Sequence, residues 1–351
     1  MKELKTVKYT LSLFICIALL LISASCEKKE GGRKEFGGLF PVLSASKWGY
    51  IDREGKLVIN PQFDYAMNFS DGLARVGRNP LWGYIDTSGK YIINPQFNWA
   101  QDFHDGLAAV SIWGGKVGYI DTSGKYIINP QFDGAWDFSE GLARVCNNGK
   151  WGYIDTTGKY IIKSQFSQAG DFHEGLAFVL HGWVGFIDKT GKYIISPRFE
   201  EVGDFSEGLA RVKERLWTSW GYIDTTGKYI INPQFDLAKD FHDGLASVGT
   251  LRRQTFGFPT VTKWDYIDKE GKYITNAQFD DVRDFSDSLA AVTTRGQVGF
   301  IDKKGIYIIN PQFNRLGGTR EGFFNELALV IVGEKFGYID KKGKYIWNLT
   351  N

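Results

Sequence analysis

The sequence is poor in cysteine, histidine and methionine, and it carries almost no net charge. Among 351 residues there are three Cys, four His and two Met, and the formal net charge is +2. So few cysteines exclude a disulfide framework, and dispersed charges of both signs give no surface for nucleic acid. No Ser/His/Asp order, paired metal ligands or phosphate-binding loop stands out. These absences favour a protein that is not an enzyme and that has no metal or other cofactor.

Long apolar runs are also missing, with one exception near the amino terminus. Residues 11–22 are apolar, follow a basic start with Lys2, Lys5 and Lys8, and lead through small residues to Cys26. The run is shorter than the roughly 20 residues of a membrane-spanning helix. The pattern resembles a bacterial lipoprotein signal, so residues 1–25 are predicted to be removed and Cys26 to be lipidated. The alternative is an ordinary cleaved signal peptide with an incidental cysteine.

Beyond Cys26 the composition changes twice. Residues 26–37 are rich in Glu, Lys and Gly and predict a flexible tether, while residues 38–351 predict one folded β domain. An exported protein that remains lipid-anchored in the cell envelope is therefore expected, at the outer membrane or the cell surface. The membrane would be reached only through the lipid.

A repeat organises the domain, and its best copy is Lys-Trp-Gly-Tyr-Ile-Asp-Thr-Thr-Gly-Lys-Tyr-Ile-Ile, residues 150–162. Nine copies follow one another at spacings of 33 to 44 residues. Each copy is preceded by a block like Gly-Leu-Ala-Arg-Val, and most are followed by one like Asn-Pro-Gln-Phe-Asp. The interval between the Gly-Leu block and the Trp-Gly block varies most, which predicts one insertion-tolerant loop per unit along one rim.

Each unit predicts three short antiparallel strands. Gly-Leu-Ala-Arg-Val forms the first, Trp-Gly-Tyr-Ile-Asp the second and Lys-Tyr-Ile-Ile the third, with Asp-x-x-Gly as the hairpin between the last two. The following Pro is expected to end the third strand, because it has no N–H to donate. Because Tyr160, Ile161 and Ile162 place apolar side chains on both faces, each sheet needs neighbours for cover.

Together these motifs resemble the WG-repeat, or KWG-repeat, family over almost the whole domain. The resemblance implies an all-β repeat scaffold used for interaction, with no shared catalytic site. The predicted fold is a tandem array of about nine units of about 34 residues, three-stranded and stacked face to face. The stack could form a propeller-like ring or an open superhelix. Nine units exceed the four to eight blades typical of closed rings, which favours the open form.

Several polar residues recur at repeat positions and have simple structural interpretations. His104, His173 and His242 share one position with serines in other units, which predicts an exposed turn rather than a metal site. The nine hairpin aspartates, of which Asp155 is one, offer one carboxylate each and are expected to cap turns rather than bind calcium.

The aromatic residues fall into two groups. The first shares the Trp-Gly position and is predicted to form the structural core: Trp48, Trp82, Trp151, Trp220 and Trp264. The second lies in or beside the variable loops, together with two arginines, and provides the candidate partner-binding residues: Trp113, Trp183, Trp217, Arg252, Arg253, Phe256 and Phe258. These loops favour a scaffold that binds a protein partner. The alternative is a carbohydrate- or cell-wall-binding module that uses the same aromatic residues.

Overall fold

Small antiparallel β-sheets follow one another in chain order. The computed structural model describes residues 38–214, 219–252, 260–275, 279–317 and 322–350, and these residues contain no α-helix. The strands of units 1 to 4 are β1 (Phe40–Ser44), β2 (Lys47–Ile51), β3 (Leu57–Phe63), β4 (Tyr65–Ser70), β5 (Leu73–Arg78), β6 (Leu81–Ile85), β7 (Tyr91–Phe97), β8 (Trp99–Ala100), β9 (Leu107–Ser111), β10 (Val117–Asp121), β11 (Tyr126–Phe132), β12 (Gly134–Ser139), β13 (Leu142–Asn147), β14 (Lys150–Asp155) and β15 (Tyr160–Phe166).

The second half of the chain repeats this order. Units 5 and 6 share β19, whose first part ends one sheet and whose last part begins the next. The strands of units 5 to 9 are β16 (Gln168–Ala169), β17 (Leu176–His181), β18 (Trp183–Asp188), β19 (Tyr193–Val202), β20 (Leu209–Glu214), β21 (Trp220–Asp224), β22 (Tyr229–Phe235), β23 (Leu237–Ala238), β24 (Ala246–Arg252), β25 (Thr260–Ile267), β26 (Asp281–Val282), β27 (Ala290–Thr294), β28 (Gln297–Ile301), β29 (Tyr307–Phe313), β30 (Arg315–Leu316), β31 (Phe323–Phe324), β32 (Leu327–Val332), β33 (Lys335–Asp340) and β34 (Tyr345–Thr350).

The prediction of an all-β array of nine stacked units is confirmed, but most units have a fourth strand. In unit 2 the sheet order is β4-β5-β6-β7, so a strand precedes the Gly-Leu block. The sequence hides this strand because in several units it has only two residues, as in β8, and shows no periodicity. The predicted end of the last strand at Pro is also wrong. Strand β7 runs through Pro95 to Phe97, because an edge strand does not need the missing N–H.

The Trp-Gly glycine is required by a close approach of two strands. A Cβ on Gly83 would lie 2.5 Å from the carbonyl oxygen of Ile93 on the last strand. Unit 7 has Asp265 at this position, and its described residues pair there through bridges between Trp264 and Phe279 and between Ile267 and Tyr273. The Asp265 carboxylate accepts a hydrogen bond from the Thr275 hydroxyl.

Buried aromatic rings join each unit to the next. The Tyr or Phe after the Trp-Gly pair packs against a Phe of the following unit, with ring centroids 4.7 Å apart for Tyr84 and Phe103. The same pairing recurs at Tyr50–Phe69, Tyr119–Phe138, Tyr153–Phe172, Phe186–Phe205, Tyr222–Phe241, Tyr266–Phe285 and Phe300–Phe323. Where the residue is Tyr, its hydroxyl also donates to a main-chain carbonyl of the next unit, as Tyr84 does to Gln101 at 2.6 Å. Each junction thus combines ring packing with a directional bond.

The ninth junction closes the array into a ring, so the expected open stack is wrong. Tyr338 packs against Phe40 with ring centroids 5.5 Å apart, and both belong to one buried cluster with Val42, Ile51 and Leu327. Unit 1 begins at β1 and has three strands among the described residues. Its Phe40 stands where other units carry Ala, and this larger side chain fills space beside the last unit.

The two edges of each sheet have different surroundings. On the last strand, the second residue of the Tyr-Ile-Ile block is exposed in six units: Ile92, Ile127, Ile161, Ile194, Ile230 and Ile308. The first strand instead makes direct contacts with its neighbours, as when Ser70 donates to the Phe103 carbonyl at 2.7 Å. In a closed ring the first strands therefore face the axis. No helix in the described part of the chain has the length and apolar character needed to cross a membrane.

Candidate functional site

The variable loops lie on one rim of the ring. Because each sheet is an antiparallel meander, the loop between the Gly-Leu and Trp-Gly strands is opposite the Asp-x-x-Gly hairpin. We call the side with these variable loops the loop rim and the other side the hairpin rim. The predicted single rim of insertion-tolerant loops follows from this topology.

Trp113 is the most exposed candidate on the loop rim. It lies between β9 and β10 with 82% of its surface accessible, and Ile112 beside it is 57% accessible. Its main-chain N–H donates to the Asn98 side chain at 2.8 Å, which fixes the loop backbone. A large apolar side chain is thus held outward by an ordered loop.

The other candidates lie on the same rim or outside the described residues. Trp183 begins β18 and is 36% accessible. Arg252 is the last residue of β24, at the end of that strand nearest the loop rim. Five of the predicted residues lie outside the described part of the chain: Cys26, Trp217, Arg253, Phe256 and Phe258.

The five Trp-Gly tryptophans pack into their units to different extents. Trp220 is buried, while the other four are half-buried against the apolar clusters: Trp48, Trp82, Trp151 and Trp264. Four of the five indoles also carry a cation on one face. Arg75 lies 4.9 Å from the Trp82 ring centroid and Lys239 lies 5.4 Å from that of Trp264. These indoles therefore act as platforms for charged side chains as well as apolar filling.

Arginine and tryptophan occur together in alternate units. Units 2, 4 and 6 have Trp immediately before the Gly of the Trp-Gly pair and Arg immediately before the Val of the Gly-Leu-Ala-Arg-Val strand. In unit 4 the Arg144 Cζ atom lies 5.7 Å from the centroid of the Trp151 ring. In units 3, 5 and 8 the indole is replaced by Val, and the arginine by Ala109, Phe178 and Ala291. Arginine thus occurs only in units that also have the indole, whereas Trp48 and Trp264 stand in units that carry Pro41 and Ser247 at the arginine position.

These arginines belong to a ring of charges that surrounds the axis. Each pairs with an aspartate that follows the first strand of the next unit, as Arg75 does with Asp102 at 3.1 Å. The remaining two pairs of this kind are Arg144–Asp171 at 2.9 Å and Arg211–Asp240 at 2.8 Å. We call the six aspartates at this position and their cationic partners the inner ring: Asp102, Asp137, Asp171, Asp204, Asp240 and Asp284.

Histidines occupy the intervening junctions in place of the arginines, so the predicted exposed turn is wrong. His173 is only 7% accessible, and its Nε2 lies 3.5 Å from Asp204 of the next unit. His104 and His242 face Asp137 and Asp284 at 3.4 and 3.7 Å. The serines at this repeat position point the same way and bond the next unit's main chain, so both residue types lie at junctions.

Burial makes two inner-ring carboxyl groups weak acids. Loss of solvent raises the pKa of Asp137 well above its usual value, and the nearby charges of Asp102 and Asp171 raise it further. The same causes, burial first and then Asp240 and Asp171, raise the pKa of Asp204 to about 7. The Asp204 carboxyl therefore takes up a proton near neutral pH, and the Asp137 carboxyl is a weaker acid than an ordinary aspartate.

Acidic residues on the hairpin rim are occupied by main-chain amides. Glu140 accepts from the N–H groups of Glu174 and Gly175 in the next unit, at 2.8 and 3.0 Å. Each hairpin aspartate caps its own turn, as Asp155 does by accepting from Thr157 and Lys159 at 2.9 and 3.0 Å. The prediction that these aspartates cap turns is confirmed. Within the described residues, no three His, Cys, Asp or Glu side chains are grouped so as to hold a metal ion.

Sequence reasoning missed the inner ring, although the signal was present. Units 2, 4 and 6 have Ser before the Gly-Leu block and Arg within it, whereas units 3, 5 and 7 have His at the serine position and no Arg, so the pattern repeats every two units. Such alternation indicates that side chains of adjacent units contact each other. A pattern within one unit predicts only the contacts inside that unit, whereas these charges pair across the junction between two units.

Comparisons with known proteins agree with this architecture. A family model described as "WG containing repeat" matches residues 48–79, 82–116, 118–151, 151–182, 185–215, 220–249, 264–297 and 299–336. No curated protein sequence matches the chain.

Among solved structures, a eukaryotic initiation factor is similar in fold, with a TM-score of 0.60 and 12% identity over 90% of this chain and 98% of that one. BamB from Moraxella catarrhalis has a TM-score of 0.45 and 12% identity over 87% of this chain and 98% of that one. The computationally designed Ika8 protein has a TM-score of 0.46 and 13% identity over 80% of this chain and 93% of that one. At such identities, the similarity to the initiation factor concerns the fold alone.

Proposed function

Because the chain belongs to the family of proteins with WG-containing repeats, we propose that it is a non-catalytic scaffold whose loop rim binds a protein partner. The scaffold is exported and held in the cell envelope by a lipid on Cys26. The ring provides a rigid frame, and the loops supply the variable part of the surface. This division suits repeat proteins, in which insertions on one face carry the binding residues.

The exposure of Trp113 is the observation that carries this proposal. Leaving most of an indole in water forgoes apolar burial, and exposed aromatic residues are favoured anchors of protein interfaces. The adjacent Ile112 extends the apolar surface, and the bond from Trp113 to Asn98 holds the loop in place. A preorganised anchor loses less conformational entropy when a partner binds.

A non-catalytic role is supported by the interactions that the conspicuous acidic side chains already make. Described inner-ring carboxylates face Arg or His of the preceding unit, and hairpin aspartates are used by turn amides. Among the described residues, equivalent carboxylates belong to different units, and each is already engaged by the partners named above. The proposal is of a structural role for these residues.

A photo-reactive amino acid introduced at Trp113 tests the binding surface. Ile306 is the matched control, because it is 57% accessible but lies beside a hairpin on the opposite rim. In envelope preparations, irradiation should give a discrete protein adduct from position 113 and none from position 306. Equal labelling from both positions, or from neither, would contradict a loop-rim interface.

The carbohydrate alternative rests on the same indole, since a flat exposed ring can stack on a sugar. A glycan array separates the two functions. Saturable glycan binding that is lost in Trp113→Ala and kept in Ile306→Ala would favour the alternative. No glycan binding, together with a protein adduct from position 113, supports the scaffold.

The lipid anchor has its own test. Metabolic labelling with a fatty-acid analogue should mark the wild-type protein and leave Cys26→Ser unlabelled. Detergent is expected to be needed to extract the wild type from membranes. Labelling that persists in Cys26→Ser would exclude this cysteine as the lipidated residue, and an unlabelled wild type would favour the ordinary signal peptide.

A further inference from the structure

The inner ring contains two kinds of junction that alternate along the chain. Three junctions pair aspartate with arginine, which stays charged at all physiological pH values. The next junction in each case pairs aspartate with histidine, whose charge changes near neutral pH. Only the histidine junctions can therefore change their net charge within the pH range in which cells live.

The junction between units 5 and 6 shows this most clearly. Asp204 faces His173 at 3.5 Å and is surrounded by further charges of both signs. The charged groups that act on it are His173, Asp171, Asp240, Arg144 and Arg211. Both arginines already pair with the other two aspartates, which leaves His173 as the cation specific to Asp204.

The junction between units 3 and 4 has the same arrangement. Asp137 faces His104 at 3.4 Å. The other charges around it are Asp102, Asp171, Arg75 and Arg144, and the two arginines again pair with the two other aspartates.

The junction between units 7 and 8 is different. Asp284 faces His242 at 3.7 Å, but the Lys239 ammonium also lies 3.9 Å from it. Asp284 therefore has a second basic partner besides its histidine. This third histidine junction should respond to pH less than the other two.

We propose that the junctions between units 3 and 4 and between units 5 and 6 form a pH-sensitive element that is tighter in mildly acidic than in alkaline solution. The geometry supplies the reason. Near pH 6 each His–Asp pair retains a proton, so its charge is balanced whichever partner carries it. Above pH 8 the ionised Asp204 carboxylate faces a neutral imidazole and lies close to Asp171 and Asp240, and loss of the shared proton has the same consequence for Asp137.

The raised pKa of Asp204 also predicts lower stability at alkaline pH. In the folded state it is raised to about 7, whereas an unfolded aspartate titrates near about 4. The folded protein therefore binds more protons within this window, and its stability falls as the pH rises through it. Hairpin aspartates such as Asp155 have lowered pKa values. Their titration therefore contributes little to the change in stability between pH 6 and pH 8.

Thermal unfolding at pH 6 and pH 8 tests the proposal. The wild type should have the lower Tm at pH 8. The double variant Asp137→Asn/Asp204→Asn should raise the Tm at pH 8, by about 3 °C or more, and change it much less at pH 6. The matched control is Asp171→Asn, which removes the partner of Arg144 and should lower the Tm at both pH values.

A second variant keeps the test decisive if the double variant folds poorly. His173→Ser installs the residue found at this position in units 2, 4 and 6, and it should lower the Tm more at pH 6 than at pH 8. His181→Ser, at the end of β17 and away from the inner ring, should leave the pH response unchanged. Equal shifts at both pH values for Asp137→Asn/Asp204→Asn, or for His173→Ser, would overturn the proposal.

Discussion

The Tyr338 hydroxyl donates a hydrogen bond to the Pro41 carbonyl at 3.1 Å and joins residues 297 positions apart. In other units the corresponding main-chain carbonyl accepts from the amide that follows the first strand, as Ala109 does from Gln101. Unit 1 has no such strand among the described residues, and the tyrosine of unit 9 bonds this carbonyl instead. Proline at this position also removes an N–H that would face the axis without a partner. The ring is therefore closed by side chains suited to a three-stranded first unit.

Truncating Phe40 should open this junction. Phe40→Ala removes a buried ring that packs on Tyr338, so the free energy of unfolding should fall by about 3–5 kcal/mol. Tyr338→Phe should cost only about 1 kcal/mol, because it loses one hydrogen bond and keeps the ring. Denaturant titration measures both values. A loss below about 1 kcal/mol for Phe40→Ala would contradict a packed junction.

Alanine at the Trp-Gly glycine position should destabilise unit 2 more than unit 7. Gly83→Ala should destabilise the protein by about 1–3 kcal/mol, because the new Cβ approaches the Ile93 carbonyl at 2.5 Å. Asp265→Ala should cost much less, because unit 7 already accommodates a Cβ at this position. Urea unfolding of the two variants provides the comparison, and equal losses would refute the steric explanation.

Arg144 and Trp151 should be energetically coupled. Their contact predicts a coupling energy of about 1 kcal/mol in a double-mutant cycle of Arg144→Ala and Trp151→Val. The double variant imitates units 3 and 8, which carry Ala and Val at these positions. Lys150→Ala with Trp151→Val is the control cycle, since the exposed lysine should show no coupling. Additive losses in the first cycle would mean that the alternation between units has another cause.

The local structure of each repeat could be predicted from the sequence, but the closure of the ring could not. Nine units and the capping role of Asp155 follow from residues close together in the chain, where turn chemistry determines the conformation. A fourth strand cannot be predicted from a segment as short as the two residues of β8, and the ring cannot be predicted from local patterns because Phe40 and Tyr338 meet only when all nine units are stacked. An exposed turn is the wrong prediction for His173 because its partner, Asp204, belongs to another repeat. Contacts between units were therefore the part that local patterns could not supply.

Closure of the ring is tested most directly by a nuclear Overhauser effect between Gly55 and the Cγ2 methyl group of Ile346. A Cβ placed on Gly55 would lie 3.1 Å from that carbon, and the same measure is 2.8 Å for Gly89 and Ile59 in adjacent units. With glycine and isoleucine methyl groups selectively labelled, the ring predicts both cross-peaks. A cross-peak for Gly89 and Ile59 without one for Gly55 and Ile346 would contradict the closed ring.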